Sequence, residues 1–204
     1  MGSTLVLAFF MATMIYRNHQ ASTPTDTVVQ VAERAGAATK GPEDARVTIV
    51  EFFDPACETC RDFLPHLNKL INQYPGQVNV MLRYAPLHPG SDQVVRMLEA
   101  AHQQGQFWPA LELLFSQQSR WTINHSSNPR LARQILTSLN LDQRQLTSDM
   151  NSENVNRIIQ QDIRDSQSLN VQATPEFFVN GRPLPSWGLE QLRQMVKETV
   201  AEAY

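Results

Sequence analysis

Residues 47–60 read VTIVEFFDPACETC, and this stretch guides the interpretation of the whole chain. Its first seven residues are β-branched or aromatic apart from Glu51, and they end at an Asp-Pro pair, a pattern typical of a central strand covered on both faces. Cys57 follows the strand by four residues, and Cys60 completes a C-x-x-C motif. Apolar residues then recur at helical spacing up to Pro75-Gly76, namely Leu64, Leu67, Ile71 and Tyr74. The stretch therefore predicts a strand, a dithiol motif and a helix that begins at the motif.

The periodicity of the remaining chain places this unit in an α/β domain. Alternating apolar residues at 78–84 predict a second strand, parallel to the first and joined to it by a right-handed crossover. Between residues 91 and 168 the period changes to helical, with four apolar stripes at residues 94–101, 107–115, 132–139 and 155–163. Strands return at Glu176, where Asn180-Gly181 predicts a hairpin, and an amphipathic helix follows. This order predicts an α/β domain with a helical insertion.

Length and composition limit the number of domains and the class of partner. The 204 residues suffice for one domain with a core plus an N-terminal appendage, but not for two ordinary domains and a linker. Hydrophobic residues make up 42% of the chain and charged residues 18%, so a core can be buried. Because the net charge is −3 and the arginines are scattered, we expect no binding of nucleic acid.

An uncharged apolar run, TLVLAFFMATMIY, occupies residues 4–16. It is shorter than the roughly 20 residues of a membrane span, but it suits the apolar region of a secretory signal. No Lys or Arg precedes the run and no A-x-A site follows it. We therefore expect residues 1–22 to be a signal peptide or an uncleaved membrane anchor, with a buried N-terminal helix as the alternative. Residues 23–45 lack periodicity and are predicted to be a linker, and residues 46–204 to be the folded domain.

The chemistry is concentrated in two cysteines, the only ones in the chain. Cys57 is expected at the N-terminus of the predicted helix, where unpaired backbone N–H groups and the helix dipole stabilise a thiolate. Cys60 lies one turn further along, close enough to form a disulfide and more enclosed. We therefore predict that Cys57 is the attacking sulfur and Cys60 the resolving sulfur.

Two other uses of the cysteine pair are open. A structural disulfide that closes so short a loop would add little stability. A metal site would need more ligands: His66 is nearby, whereas His88, His102 and His125 are scattered without ligand spacing. Redox chemistry without a bound metal or other cofactor is the preferred interpretation. The alternative of another class is a metal-binding or metal-tolerance module built on the cysteine pair and His66.

Glu51 lies inside the predicted strand, on the same face as Ile49 and Phe53. If the strand is central, the carboxyl group is removed from water beside the sulfur pair, and burial raises its pKa. Such a carboxyl group can accept and donate the Cys60 proton during exchange. The alternative is a carboxyl group that reaches solvent at the end of the strand.

Two segments of the chain carry a resemblance to a known family, VEFFDPACETC at residues 50–60 and ATPEFFVNG at residues 173–181. Together they resemble the DsbA-like branch of the thioredoxin superfamily, in which a helical domain is inserted into the thioredoxin fold. The resemblance covers residues 41–204. It implies a thioredoxin fold with an inserted helical subdomain at about residues 90–168.

The resemblance also implies roles for particular residues. Thr174 and Pro175 match the cis-proline loop that faces the dithiol, where the Thr174 backbone pairs with an extended substrate segment. Glu51 matches the buried acid of the family. Glu58 and Thr59 stand within the motif, at positions where strong oxidases of the family carry Pro-His, and we expect both to contact the substrate.

By this resemblance we expect an extracytoplasmic thiol-disulfide oxidoreductase, periplasmic and possibly anchored to the inner membrane through residues 4–16, that oxidises client thiols. A membrane thiol oxidase, or a reductase, is the expected redox partner. Net oxidation is preferred because the short tether leaves no dimerisation domain of the kind that disulfide isomerases use, and we expect a monomer. A disulfide reductase or isomerase of the same fold is the alternative.

The residues around Cys57 predict its redox potential. Glu58 opposes a thiolate at Cys57, whereas Thr59 and Arg61 favour it, so the motif predicts an intermediate redox potential.

Overall fold

The computed structural model describes Val28 and residues 31–204. The signal peptide or anchor predicted for residues 1–22 lies outside the described residues, and so does the membrane contact through residues 4–16. Within the part of the chain that is described, no helix is both long enough and apolar enough to cross a membrane.

The strands of the described residues are β1 (Ala38–Lys40), β2 (Val47–Phe53), β3 (Val78–Tyr84), β4 (Thr122–Ile123), β5 (Ser126–Ser127), β6 (Glu176–Val179) and β7 (Arg182–Pro183). Five of them form one sheet in the order β1-β3-β2-β6-β7. The β2-β3 pair is parallel, as predicted, and the other pairs of this sheet are antiparallel. β4 and β5 form a separate hairpin.

The helices of the described residues are α1 (Glu58–Gln73), α2 (Ser91–Gln103), α3 (Phe107–Ser116), α4 (Gln118–Trp121), α5 (Pro129–Leu136), α6 (Gln143–Met150), α7 (Glu153–Ser168) and α8 (Leu189–Ala203). Six of them, α2 to α7, lie between β3 and β6, and α8 follows the sheet. The predicted α/β architecture with an inserted helical subdomain is therefore confirmed.

β2 is the central strand of the five, and both of its faces are covered by apolar side chains. Ile49 and Phe53 belong to the main core, which also contains the apolar residues of α1 and of the insertion. Val50 and Phe52 point into a smaller cluster on the opposite face, together with Phe178. All residues of the strand except Thr48 are buried, which explains the nearly continuous apolar sequence.

The insertion confirms the predicted apolar stripes but contains elements that the sequence pattern did not predict. α6 was missed because it buries a single side chain, Leu146, and is defined instead by Asp142, whose Oδ1 accepts the N–H of Arg144 at 2.8 Å. The β4-β5 hairpin was also missed. Its turn residues Asn124 and His125 have positive φ angles of 49° and 60°, a conformation for which Asn-Gly is the familiar sequence signal.

The linker predicted for residues 23–45 is wrong in its C-terminal part. Residues 38–40 form β1, which pairs antiparallel with β3 and places Ala38 opposite Leu82. Ala32 and Ala37 are buried as well. The segment has small side chains and a strand of only three residues, so it has no periodicity that could reveal its place in the sheet. Residues 23–27, 29 and 30 lie outside the described residues.

A buried ion network attaches the insertion and the N-terminal segment to β3. Arg83 is fully buried, and its guanidinium donates to Asp162 on α7 (Nε–Oδ1 2.8 Å), to Asp165 and to the carbonyl oxygen of Ala32 (2.7 Å). Asp162 also accepts from Arg34 Nε at 2.7 Å. Buried charges are costly unless they are paired, so these groups stabilise the fold only when all three segments are in place.

Replacing Asp162 with Asn should lower the free energy of unfolding by about 3–5 kcal/mol, because two arginine side chains lose their shared counter-charge. Urea denaturation measures the effect. Glu190→Gln is the matched control, since it breaks an exposed pair with Arg193 that adds little stability. Similar losses in the two variants would contradict the importance assigned to the buried network.

Candidate active site

The two cysteines lie where β2 ends and α1 begins. Cys57 caps α1: its backbone is extended (φ −77°, ψ 120°), and its Sγ accepts a hydrogen bond from the backbone N–H of Cys60 at 3.4 Å. The first turn of a helix has N–H groups without backbone partners, and they favour negative charge at this place. The predicted position of Cys57 at the helix N-terminus is confirmed.

The surroundings of Cys57 stabilise its thiolate. Both cysteines are free, and Cys57 is 5% exposed. A hydrogen bond with the Cys60 side chain lowers the pKa of Cys57, burial acts in the opposite direction, and the balance brings the pKa to about 6. The Thr174 side chain and the N–H groups of Cys60 and Thr59 add to the lowering. Near neutral pH Cys57 is therefore mostly ionised.

Cys60 has the opposite tendency. It is 1% exposed, and burial raises the pKa of its thiol well above the ordinary value. The hydrogen bond to Cys57 and the negative charges of Glu51 and Cys57 raise this pKa further. The motif thus holds one thiolate and one thiol at neighbouring positions, which is the asymmetry that disulfide exchange requires.

Glu51 is buried behind the sulfur pair. It lies on β2 between Leu82 and Phe177 of the neighbouring strands, it is 2% exposed, and its Oε1 has no hydrogen-bond partner. Burial raises the pKa of the carboxyl group well above its usual range, the charge of Cys57 raises it further, and a hydrogen bond with Cys60 partly opposes them. The expected burial is confirmed, and the alternative of a solvent-exposed carboxyl group is wrong.

The loop before β6 faces the dithiol. Its Thr174-Pro175 peptide bond is cis, as the resemblance implies, and the Thr174 carbonyl oxygen lies 3.2 Å from Cys57 Sγ. Trp187 Nε1 donates a hydrogen bond to the Pro175 carbonyl oxygen at 3.2 Å, and its ring packs against Phe63 of α1. The loop therefore bounds one side of Cys57 and is itself supported by an aromatic side chain that no sequence pattern indicated.

Glu58 and Thr59 occupy the first turn of α1. The Thr59 N–H faces the Cys57 sulfur. The Glu58 carboxylate turns toward the insertion, where its Oε2 lies 2.8 Å from Nδ1 of His125 in the β4-β5 hairpin. This pairing joins residues far apart in sequence and was not predicted. Contact of Glu58 and Thr59 with a substrate stays a prediction.

Two further polar side chains support the motif, and both were missed. Gln118 of α4 is 1% exposed, and its Nε2 donates to the carbonyl oxygens of Pro55 (2.9 Å) and Cys57 (3.0 Å). Asp54 is fully buried and accepts the Ala56 N–H at 2.8 Å. The position of Asp54 just after the strand could have indicated a turn. Gln118 has no local signal, because its partners lie about sixty residues earlier.

The metal hypothesis lacks a set of ligands in the described part of the chain. No three His, Cys, Asp or Glu side chains there are arranged to hold a metal ion. His66, the third ligand that this hypothesis needs, instead packs edge-on against Phe63, with ring centroids 6.2 Å apart.

Alkylation of the reduced protein should distinguish the two cysteines. At neutral pH we expect Cys57 to react much faster than Cys60, because Cys57 alone is ionised, and its rate should fall as the pH is lowered through about 6. Brief labelling with iodoacetamide and peptide mass spectrometry measure both rates. Equal rates, or a faster Cys60, would refute the assignment of the attacking sulfur.

Comparison with known proteins agrees with this geometry. The thioredoxin family model matches residues 33–198. A thioredoxin-like oxidoreductase from Silicibacter pomeroyi is 26% identical, with a TM-score of 0.72 over 89% of this chain and 100% of that chain. BdbD from Bacillus subtilis is 24% identical, with a TM-score of 0.70 over 81% of this chain and 94% of its own. Alpha-DsbA1 from Wolbachia pipientis is 17% identical, with a TM-score of 0.71 over 86% of this chain and 96% of its own. The last two likenesses concern the fold.

Similar curated sequences belong to longer proteins. The chain is 31% identical over 145 residues to the Na⁺/H⁺ antiporter NhaA of Herminiimonas arsenicoxydans, a match that covers 71% of this chain and 22% of the antiporter. It therefore spans about a fifth of the length of the curated relatives it matches. Because the family model covers most of the chain, the chain belongs to the thioredoxin family, with a helical subdomain inserted between β3 and β6.

Proposed function

We propose that this protein oxidises the thiols of client proteins outside the cytoplasm, using a disulfide between Cys57 and Cys60. The observation that carries the proposal is the contrast between the two sulfurs, with the pKa of Cys57 lowered to about 6 and that of Cys60 raised. A stabilised Cys57 thiolate favours the reduced protein, so the corresponding disulfide is a better oxidant.

The exchange proceeds through a mixed disulfide. A client thiolate attacks Cys57 Sγ of the protein disulfide, so that a client–Cys57 bond forms, the Cys57–Cys60 bond breaks and Cys60 leaves as a thiolate. A second client thiolate then attacks the client sulfur, forms the client disulfide and releases Cys57 as a thiolate. Two electrons pass from client to protein in each cycle. A membrane thiol oxidase that accepts them would restore the protein disulfide.

Glu51 is placed to handle the proton of Cys60. Burial raises the pKa of its carboxyl group well above the usual range, which favours the protonated form, and its side chain forms a hydrogen bond with Cys60. The protonated carboxyl group donates to the Cys60 thiolate as the protein disulfide opens, and the carboxylate takes the proton back when the disulfide forms again. Glu51 and Cys60 are 2% and 1% exposed, so bulk solvent has little access to the Cys60 sulfur.

The client would lie across the surface around Cys57. An extended segment would pair with the backbone of Thr174, whose carbonyl oxygen already contacts the Cys57 sulfur. Glu58 and Thr59 border the other side of the sulfur. Two exposed apolar side chains belong to segments that contact this region, Trp187 (59% exposed) and Ile123 (75% exposed). Such side chains suit clients that are still unfolded and present apolar residues.

A reductase or isomerase of the same fold is the second candidate, and the charge of Glu58 favours it. A negative charge beside Cys57 opposes the thiolate and so weakens the oxidant. We propose net oxidation with a potential of roughly −150 to −230 mV, less oxidising than the strongest oxidase of this fold and less reducing than thioredoxin.

Equilibration with glutathione buffers of known potential tests this proposal. The fraction of reduced protein, measured by thiol labelling, should change over the range given above. Cys60→Ser is the control: it cannot form the intramolecular disulfide, and its Cys57 can form only a mixed disulfide with glutathione, which the added mass of glutathione identifies. A potential near that of thioredoxin, about −270 mV, would favour the reductase.

Replacing Glu51 with Gln should slow the release of mixed disulfides, because the amide cannot exchange a proton with Cys60. Stopped-flow oxidation of a dithiol peptide measures the rate. Glu99→Gln is the matched control: Glu99 is also buried, and its carboxylate accepts a hydrogen bond from Tyr84 at 2.9 Å. The control should leave turnover unchanged.

The same substitution should change how stability depends on pH. Since burial raises the pKa of Glu51, the wild-type protein loses stability as the pH rises from the ordinary carboxyl pKa through the raised one. Glu51→Gln should remove this loss and increase the free energy of unfolding at neutral pH. Unchanged turnover together with unchanged stability would contradict the role given to Glu51.

A further inference from the structure

Four side chains form a row beside the dithiol motif. At one end, His88 Nδ1 lies 2.8 Å from Asp54 Oδ2. The His88 ring stacks on the His125 ring, with centroids 5.3 Å apart and planes inclined by 22°. At the other end, His125 Nδ1 lies 2.8 Å from Oε2 of Glu58, which directly follows Cys57. The row thus connects the end of β2 to the first turn of α1 through the turn of the β4-β5 hairpin.

Asp54 fixes the first histidine. Its carboxylate is fully buried and accepts the backbone N–H of His88 at 2.8 Å, the hydroxyl of Ser91 at 2.9 Å and the imidazole N–H of His88. An ionised carboxylate only accepts hydrogen bonds, so Nδ1 of His88 carries the proton in this contact. His88 is therefore held in one orientation and offers its ring face to His125.

The row matters because Glu58 is a negative charge next to the thiolate. The sequence suggested that Arg61 offsets this charge, but the Arg61 guanidinium is engaged with Asp62, at 2.9 Å. His125 contacts Glu58 instead. The charged groups that contact the two imidazole rings are the carboxylates of Asp54 and Glu58, and the Ser91 hydroxyl donates to Asp54.

We propose that His125, held in place by His88, compensates the charge of Glu58 and thereby maintains the oxidising power of the Cys57–Cys60 disulfide. The inference rests on the proposed function and names the residues that tune it. His125 and His88 are positioning residues, because neither touches the sulfur atoms.

The experiment uses the full chain with His125→Gln, alone and combined with Glu58→Gln. Ultraviolet absorbance of the Cys57 thiolate, followed against pH, and the equilibrium constant with glutathione are measured for each protein. His125→Gln should raise the pKa of Cys57 and lower the equilibrium constant for oxidation of glutathione about threefold, as expected for a partly exposed ion pair. Threefold corresponds to about 14 mV.

The Glu58→Gln background gives the decisive comparison. There the His125→Gln substitution should have no further effect, because the charge that His125 compensates has been removed. The effect in the native background should also shrink at high salt. No change in the single variant, or an equal change with and without Glu58, overturns the proposal.

His102→Gln is the matched control. His102 is another histidine of the insertion that lies beside a glutamate, with Nδ1 3.6 Å from Glu99 Oε1. His102→Gln should leave the pKa of Cys57 and the equilibrium constant with glutathione unchanged. An effect equal to that of His125→Gln would overturn the specific role of the row. Failure of the proposed function is distinguishable: a wild-type protein that does not exchange with glutathione refutes the function, whereas the thiolate titration still reports the coupling of His125 to Glu58.

Discussion

The hydrogen bond from the first turn of α1 to the Cys57 sulfur is the interaction on which the chemistry of this protein depends. Donors in this turn have no backbone partners, so a sulfur placed over them is stabilised as an anion. The neighbouring thiol cannot share this benefit, because it lies inside the helix and away from water. The difference between the two sulfurs therefore has three sources: the hydrogen bond of the Cys60 side chain to Cys57, the burial of Cys60, and the N–H groups of this turn.

The rest of the fold keeps that turn in place. β2 delivers the motif from the centre of the sheet, and its burial on both faces also removes Glu51 from solvent. From the insertion, Gln118 donates to the carbonyl oxygens of Pro55 and Cys57. On the far face of the sheet, Arg83 binds α7 and the N-terminal segment together. The insertion is therefore part of the support of the site.

Electrostatics around the motif are arranged over a longer distance than the motif itself. Glu58 would weaken the thiolate if it stood alone, but it faces His125, and His125 is stacked on a second histidine that a buried carboxylate holds. Such an arrangement lets the insertion influence the dithiol without touching either sulfur. It also means that the two variable residues of a C-x-x-C motif are an incomplete description of its environment.

The sequence by itself determined the elements whose signals are local. The apolar run of β2, the spacing of the cysteines, the helical stripes of the insertion and the strand-face position of Glu51 depend on periods of two or 3.6 residues, so they were predictable. Segments with little periodicity were not, and β1 and α6 were therefore missed. Only the tertiary structure decided which distant polar groups meet at the motif. His88 and His125 looked scattered, and Gln118 had no signal, because hydrogen bonds and ring stacking between separate elements leave no regular spacing in the chain.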